Sequence, residues 1–467
     1  MKKKTVVIIG GGITGLATAY YLHKEIQEKD LSINVKLIES SNRLGGVIQT
    51  FKKDGFVIEK GPDSILVRKK SGIRLIEELG LKDKLVSNTA GKSYILVKGK
   101  LHTMPEGSFM GIPTKVTPFA LSGLFSPKGK LRAAGDFILP KGKAQNDQSL
   151  GGFFRRRLGD EVVENLIEPL LSGIYAGDID HLSLMSLFPN FYSMEQKLRS
   201  LVLGLKRTMP PAPKKTAKEN TKKGMFISLT TGLEEMIVEL ERRLGDSVTK
   251  GVGVEKITKR ENGYSLQLSN GKIEEADSVV LATNHFHAQK ILSDYSFMET
   301  FKNMPATSVA NVAMAFPKSA IQQDIEGSGF VVSRNSDFRI TACTWTHKKW
   351  PGTTPEGMAL LRCYLGKPSD QDVVEMTDEE IIEIALRDLN KTMKINTKPI
   401  FHVVTRWKKT MPQYTVGHKE RIQNVKDSLL KELPGVFLAG SSFEGVGIPD
   451  CIAQGEQAVK KVLDFLN

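Results

Sequence analysis

The stretch that decides the fold is TVVIIGGGITGLATAYYL, Thr5–Leu22. Residues 5–9 form an apolar, largely β-branched run, which predicts a strand buried on both faces of a parallel sheet. After the glycines the apolar residues recur at helical spacing, so a helix follows the strand directly. Gly10, Gly12 and Gly15 fit G-x-G-x-x-G. In this pattern the first glycine allows a tight turn, the second lets backbone approach a pyrophosphate, and the third lets the helix pack on the strand.

A second strand and an acid follow at the spacing of a dinucleotide-binding unit. Residues 34–38 are apolar at alternate positions, and the predicted strand ends at Glu39. A carboxylate there can accept hydrogen bonds from ribose hydroxyls, and it disfavours a 2′-phosphate. A glycine-rich turn followed by a surface glutamate is the alternative interpretation. The βαβ pattern favours dinucleotide binding.

Length and composition set the broad class. A chain of 467 residues with 40% hydrophobic content predicts two or three globular domains. No apolar run is long enough to span a bilayer, and the basic N-terminus leads into a glycine turn instead of a signal peptide, so we expect a cytoplasmic protein. Cys343, Cys363 and Cys451 lack C-x-x-C spacing, which predicts buried free thiols and no disulfide or zinc. The neighbouring His285 and His287 give little reason to expect a metal.

The formal net charge is +14, and part of it is concentrated in residues 206–224. That stretch is basic, polar and proline-bearing, so it predicts an exposed connection between domains. A solvated loop is the simpler interpretation. Contact with acidic lipid or attraction of an anionic substrate is the alternative. The chain has no basic motif interleaved with aromatic residues, so nucleic acid is not expected as a partner.

A second glycine pair changes the predicted cofactor. In SNRLGGVIQT, Arg43 and Gly45-Gly46 follow the second strand at once. A cofactor that lies extended along the sheet needs backbone to approach it twice, whereas a nicotinamide dehydrogenase has no evident need for this. This element, joined to the first glycine loop and Glu39, resembles the signature of the flavin-containing amine oxidase superfamily. The resemblance implies FAD.

The C-terminal stretch supports the same resemblance. Residues 436–439 predict a strand, a glycine-rich loop follows, and Pro449 and Asp450 are suitable helix starters. A helix N-terminus carries partial positive charge. If it points at the flavin N1/C2 carbonyl edge, it stabilises the anionic reduced ring and places residues 446–448 near the isoalloxazine.

Further motifs narrow the resemblance. They are GPDS at 61–64, SGIYAGD at 172–178, FEGVGIPDCI near the C-terminus, MGIPTK and TSVANVAMAF. Together they span nearly the whole chain and resemble the HemY-type protoporphyrinogen/coproporphyrinogen III oxidases of Gram-positive bacteria. The resemblance implies FAD-dependent, oxygen-consuming oxidation of coproporphyrinogen III to coproporphyrin III in haem biosynthesis, with release of hydrogen peroxide. Protoporphyrinogen IX as the main substrate is the alternative. An amine oxidase, a carotenoid desaturase and a non-enzymatic flavin-binding protein are less favoured.

The resemblance also implies site residues. The cofactor-binding residues are Gly10, Gly12, Ile13, Thr14, Gly15, Glu39, Ser40, Arg43, Gly46, Val47, Gly61, Pro62, Asp63, Ser64, Val254, Trp407, Val446, Gly447 and Ile448. Val254 matches the segment whose valine backbone meets adenine, and Trp407 matches an aromatic residue close to the flavin, with a structural tryptophan as the alternative.

Substrate binding is assigned to three further residues. Lys69 follows GPDS and could reach propionates, although a solvated turn is equally compatible. Gly173 and Ile174 would shape an apolar slot over the macrocycle, with plain helix packing as the alternative. Because flavin and pyrrole tautomerisation supply most of the chemistry, no catalytic base and no metal ligand are assigned.

We therefore expect an α/β fold, α+β overall, in three parts. A Rossmann-like FAD-binding domain combines the discontinuous segments 1–60, 225–285 and 400–467. A mixed-sheet substrate domain combines 61–90 and 286–400, with a helix over 377–393. A mainly helical domain spans 91–210. The resemblance implies that this domain can bind membranes, so we expect weak peripheral membrane contact.

Overall fold

The apolar run at the N-terminus lies at the centre of a parallel sheet. In the computed structural model, which describes residues 3–89, 91–208 and 223–467, the strand Lys4–Ile9 has completely buried side chains at Val6, Val7 and Ile8. It pairs in parallel with a strand on each side. The sheet order is Val248–Lys250, Ile33–Glu39, Lys4–Ile9, Ser278–Leu281 and Val436–Leu438, and every pairing is parallel. The predicted first, second and C-terminal strands are thus confirmed.

Helices cover this sheet and bury its apolar side chains. The α-helices of this part are Ile13–Lys29, Lys70–Glu78, Glu234–Leu244, His285–Ile291, His418–Glu432 and Ile448–Leu466. The first and last of them pack closely, because a Cβ on Gly455 would stand 2.9 Å from the carbonyl oxygen of Thr14. Both helices begin at the carboxyl end of the sheet, where ligands bind in open α/β sheets.

Short antiparallel strands complete the first part of the chain. Val254–Arg260, Gly263–Leu268 and Ile273–Ala276 form a three-stranded antiparallel meander that leads into Ser278–Leu281. Thr50–Lys53 pairs with Phe56–Glu59, and Ile65–Leu66 pairs with residues 226–227.

A seven-stranded sheet forms the centre of the second part. Its order is Phe401–Pro412, Ala306–Pro317, Met358–Leu365, Ile340–Trp345, Gly329–Val332, Ser93–Val97 and Lys100–Thr103. The pair Gly329–Val332 and Ser93–Val97 is parallel and the others are antiparallel, so the sheet is mixed as predicted. The helix expected over 377–393 runs from Asp378 to Asn390, and Thr377 and Glu380 form a capping box at its start.

Further helices follow the strands of residues 93–113, which include the short pair Ser108–Phe109 and Ile112–Pro113. They are Val116–Leu121, Pro127–Ala134, Leu150–Leu158, Asp160–Val162, Glu168–Tyr175, Leu184–Leu187, Pro189–Leu198 and Leu201–Thr208, with Thr346–Lys349 later in the chain. A π-helical turn, Val163–Ile167, directly precedes the helix Glu168–Tyr175.

The chain divides into two units. The first unit is Met1–Ser87, Met225–Pro305 and Lys419–Asn467, and the second is Asn88–Gly224 and Ala306–His418. The boundaries differ from the expected ones, since 61–87 and 286–305 join the dinucleotide-binding segments while 400–418 joins the second unit. The division into three domains stays a prediction. Of the basic connection 206–224, residues 209–222 lie outside the described residues.

Candidate active site

The first glycine loop has the geometry that its sequence predicted. Gly10 has a φ of +110°, and a Cβ there would lie 2.7 Å from the carbonyl oxygen of Ala282. A Cβ on Gly15 would stand 1.9 Å from the carbonyl oxygen of Gly10, so only glycine lets the helix start this close to the strand. A Cβ on Gly12 would meet nothing within 4 Å. Backbone at Gly12 therefore faces open space at the start of a helix, where an anionic ligand can reach free N–H groups.

Glu39 holds this loop in shape. Its Oε2 accepts a hydrogen bond of 2.6 Å from the backbone N–H of Gly11. Its Oε1 accepts one of 2.8 Å from the backbone N–H of Ser41. The carboxylate thus joins the ends of two adjacent strands, a role that the motif did not predict. The predicted contact with ribose stays a prediction.

The second glycine loop lies against the first. Gly45 donates its backbone N–H to the carbonyl oxygen of Gly11 at 2.8 Å, and Gly46 has a φ of +57°. Arg43 donates to the carbonyl oxygens of Gly46 at 2.7 Å and of Ile48 at 2.8 Å. The guanidinium therefore holds the second glycine loop in its conformation. The backbone of both glycine loops lies side by side at the same end of the sheet.

The remaining predicted segments of the first unit converge on these loops. A Cβ on Gly61 would lie 1.8 Å from the carbonyl oxygen of Val47, which places the GPDS segment directly beside the second loop. The segment before Val254 runs along the end of the second strand, because Val252 donates its N–H to the carbonyl oxygen of Glu39 at 3.1 Å. Ser40 lies in the same place, with its Cβ 3.5 Å from the position of a Cβ on Gly253.

The C-terminal helix opens on this edge as well. Gly447 is its N-cap, Pro449 lies in its first turn, and Ile448 is buried. A Cβ on Gly440, at the end of the last strand, would lie 3.7 Å from the Thr14 hydroxyl oxygen. Residues 446–448 and the start of the first helix thus lie at one end of the parallel sheet. The contact of residues 446–448 with a flavin ring stays a prediction.

Lys69 is held by an ion pair that the sequence did not reveal. Its Nζ lies 2.5 Å from each carboxylate oxygen of Asp450, in the first turn of the C-terminal helix. The hydroxyl of Ser71 donates to the carbonyl oxygen of Pro449 at 2.6 Å. The side chain of Lys69 remains 41% exposed. A contact with substrate therefore has to share this ammonium with Asp450.

Three predicted site residues lie in the second unit. Trp407 lies half-buried on the strand Phe401–Pro412, opposite Val309. Gly173 and Ile174 lie near the end of the helix Glu168–Tyr175, where Ile174 is 44% exposed. A Cβ on Gly173 would meet Val331 at 3.7 Å and nothing closer. The helix end therefore offers an open apolar surface, and the contacts of these three residues with ligands stay predictions.

Cys343, Cys363 and Cys451 are buried free thiols, as expected. Burial raises the pKa of the Cys451 thiol to about 11. Hydrogen bonding with Cys343, together with burial, raises the pKa of Cys363 well above its usual value. In residues 3–89, 91–208 and 223–467, no three His, Cys, Asp or Glu side chains come together as a metal site. The ring nitrogens of His285 bond instead to the Ser442 hydroxyl and the Met304 carbonyl.

These features fit an extended dinucleotide cofactor. The open side of Gly12 and the start of the helix Ile13–Lys29 suit a pyrophosphate. The second loop and the N-terminus of the helix Ile448–Leu466 suit a ring system that carries negative charge when reduced.

Comparison with known proteins adds independent findings. The model of the family described as flavin containing amine oxidoreductase matches residues 13–463. The chain is 56% identical over 467 residues to the coproporphyrinogen III oxidase of Bacillus subtilis, covering 99% of both chains. It is 44% identical over 475 residues to that of Staphylococcus aureus, covering 98% of this chain and 99% of the relative. A crystal structure of a protein from Exiguobacterium sp. 255-15 matches with a TM-score of 0.87 at 38% identity and 99% coverage of both chains.

Proposed function

The chain belongs to the flavin containing amine oxidoreductase family, and from that premise we propose that it oxidises coproporphyrinogen III to coproporphyrin III in haem biosynthesis. Its cofactor is FAD, as the resemblance implied. When bound, FAD supplies two-electron redox chemistry, so three cycles remove six electrons and six protons, with oxygen as the acceptor and hydrogen peroxide as its product. The observation that carries the proposal is the similarity, over nearly the full length, to two coproporphyrinogen III oxidases.

The chain's own residues hold and orient the cofactor in this account. Gly12 and the first helical N–H groups would bind the pyrophosphate, and Glu39 keeps the loop that presents them in place. Residues 446–448, at the positive end of the last helix, would stabilise negative charge on the reduced ring. In this proposal the pyrrole nitrogens of the substrate release the protons. We assign no side chain as a general base.

The charge of the chain is a second reason to expect a preference for coproporphyrinogen III. Coproporphyrinogen III carries four propionates and protoporphyrinogen IX carries two, so a basic chain with a net charge of +14 favours the former. We expect higher kcat/KM for coproporphyrinogen III when the purified holoenzyme receives both substrates under identical conditions. A higher kcat/KM for protoporphyrinogen IX would overturn the substrate assignment and would support the alternative.

Lys69 is our candidate for a propionate contact. Replacing it in Lys69→Met should raise KM for coproporphyrinogen III up to about fivefold and change KM for protoporphyrinogen IX less, because a half-exposed ion pair contributes at most about 1 kcal/mol. Asp450→Asn is the matched control, since it releases the ammonium from its partner and should leave KM unchanged or lower it. Equal effects of Lys69→Met on both substrates would remove the propionate role.

We also propose that the protein makes weak peripheral contact with membranes. In the described part of the chain, no helix is both long and apolar enough to cross a membrane. The second unit exposes Leu121, Leu131 and Ile138, each with a side chain at least 77% exposed, near several lysines in the sequence. We expect weak binding to vesicles of anionic phospholipid that salt reverses, measured by co-sedimentation. Equal binding to neutral vesicles would contradict it. The cytoplasmic location stays a prediction.

A further inference from the structure

A buried amide joins two regions of the second unit. Gln413 directly follows the strand Phe401–Pro412, and the residue is 5% exposed. Its Nε2 lies 2.9 Å from the carbonyl oxygen of Tyr175, 3.0 Å from the hydroxyl oxygen of Thr307 and 3.0 Å from the carbonyl oxygen of Met411. The two N–H groups of this amide therefore donate to acceptors on the strands Ala306–Pro317 and Phe401–Pro412 and at the end of the helix Glu168–Tyr175.

The absence of a side chain at Gly177 leaves space for the Gln413 amide. A Cβ on Gly177 would stand 2.2 Å from Oε1 of Gln413. Between Gly177 and Tyr175, Ala176 has a φ of +48°, a conformation that non-glycine residues rarely adopt. The helix Glu168–Tyr175 therefore ends in a strained turn, and the Gln413 amide is bonded to the carbonyl directly before that turn.

The segment around Ser183, which follows this turn, is held by contacts that do not involve the Gln413 side chain. Ser183 donates its N–H to the carbonyl oxygen of Tyr414 at 2.7 Å. A carboxylate oxygen of Asp147 accepts from the Ser183 hydroxyl at 2.7 Å and from the N–H of Gly417 at 2.8 Å. Residues near Ser183 thus remain attached when Gln413 is changed, while the helix end at Tyr175 loses this bond.

We infer that Gln413 is a positioning residue that fixes the Gly173–Ile174 surface relative to the strand Phe401–Pro412. Gly173 and Ile174 lie two and one residues before Tyr175, and their apolar surface is open. An open apolar surface suits the face of a tetrapyrrole, so its position decides how well the macrocycle fits. This inference rests on the proposed function, because it takes a tetrapyrrole as the ligand of that surface.

The test measures binding of coproporphyrin III to the FAD-loaded enzyme by fluorescence titration, together with KM and kcat. Gln413→Met keeps the volume of the side chain and removes both amide donors. We expect its Kd for coproporphyrin III and its KM for coproporphyrinogen III to rise at least fivefold, while kcat stays within twofold. Gly177→Ala should produce the same change, because its methyl group displaces Oε1. If Gln413→Met fails to fold, the Kd and KM of Gly177→Ala test the inference in its place.

Ser183→Ala is the matched control. It removes a buried hydroxyl that attaches the same segment to Asp147 and leaves the Tyr175 carbonyl bonded. Its Kd should stay within twofold of wild type. Unchanged binding by Gln413→Met and Gly177→Ala, or equal weakening by Ser183→Ala, would overturn the inference alone. A wild-type enzyme that does not bind coproporphyrin III would overturn the proposed function, and this inference with it.

Discussion

Gly12→Val should yield a folded protein that retains no FAD. The new side chain meets no protein atom within 4 Å of its Cβ, and Gly12 has φ −72° and ψ 174°, an extended conformation that valine adopts easily. The fold therefore has room for the substitution. The added methyl groups occupy the space that the pyrophosphate needs for close approach to the backbone. We expect a colourless protein with a far-UV circular dichroism spectrum like that of wild type.

A valine elsewhere provides the control. Gly135 also has a negative φ, and a Cβ there would meet nothing closer than 3.7 Å. It belongs to the second unit and to none of the glycine loops. Gly135→Val should bind FAD at wild-type stoichiometry. A Gly12→Val protein that is purified fully yellow would refute the assignment of this loop.

Glu39→Ala should weaken FAD binding by a factor of about 10 to 100. The substitution removes the acceptor for the N–H groups of Gly11 and Ser41, and a hydrogen bond to a charged group contributes about 1.5–3 kcal/mol. Without the carboxylate, the first glycine loop loses the bond that fixes it to the second strand. The Kd is measured by titrating apoprotein with FAD and following flavin fluorescence.

Two variants sharpen this measurement. Glu39→Gln keeps one acceptor oxygen and should give an intermediate Kd. Glu77→Ala removes a 45%-exposed carboxylate of the same unit and should leave the Kd at the wild-type value. If Glu39→Ala binds FAD as tightly as Glu77→Ala does, the carboxylate has no role in holding the cofactor site.

The sequence predicts the first and last segments of the first unit well because their signals are local. The run at residues 5–9, the glycines and the helix beyond them each follow from the period of the apolar residues and from the backbone that glycine permits. The same holds for the strand Val436–Leu438 and for a helix that begins around Pro449. These elements need no knowledge of distant partners.

The features that the sequence did not predict are contacts between residues far apart in the chain. Lys69 and Asp450 are 381 positions apart, and Gln413 and Tyr175 are 238 apart. The segment that carries Trp407 was expected in the FAD-binding domain, and in the structure it forms a strand that pairs with Ala306–Pro317 in the sheet of the second unit. An amphipathic pattern shows that a strand forms but does not show which sheet it joins.

Arg43 and Glu39 illustrate a further limit. The motif marks both as residues near a cofactor, and the structure gives them hydrogen bonds to backbone groups of the loops themselves. A signature therefore identifies where a site lies more reliably than it identifies what each side chain does there.

Anaerobic mixing of the FAD-loaded enzyme, in excess, with coproporphyrinogen III tests the proposed oxidation directly. We expect that the visible absorbance of the flavin bleaches, that coproporphyrin III fluorescence appears, and that three flavins are reduced for each porphyrin formed. A flavin that stays oxidised after addition of coproporphyrinogen III would show that this enzyme does not oxidise it.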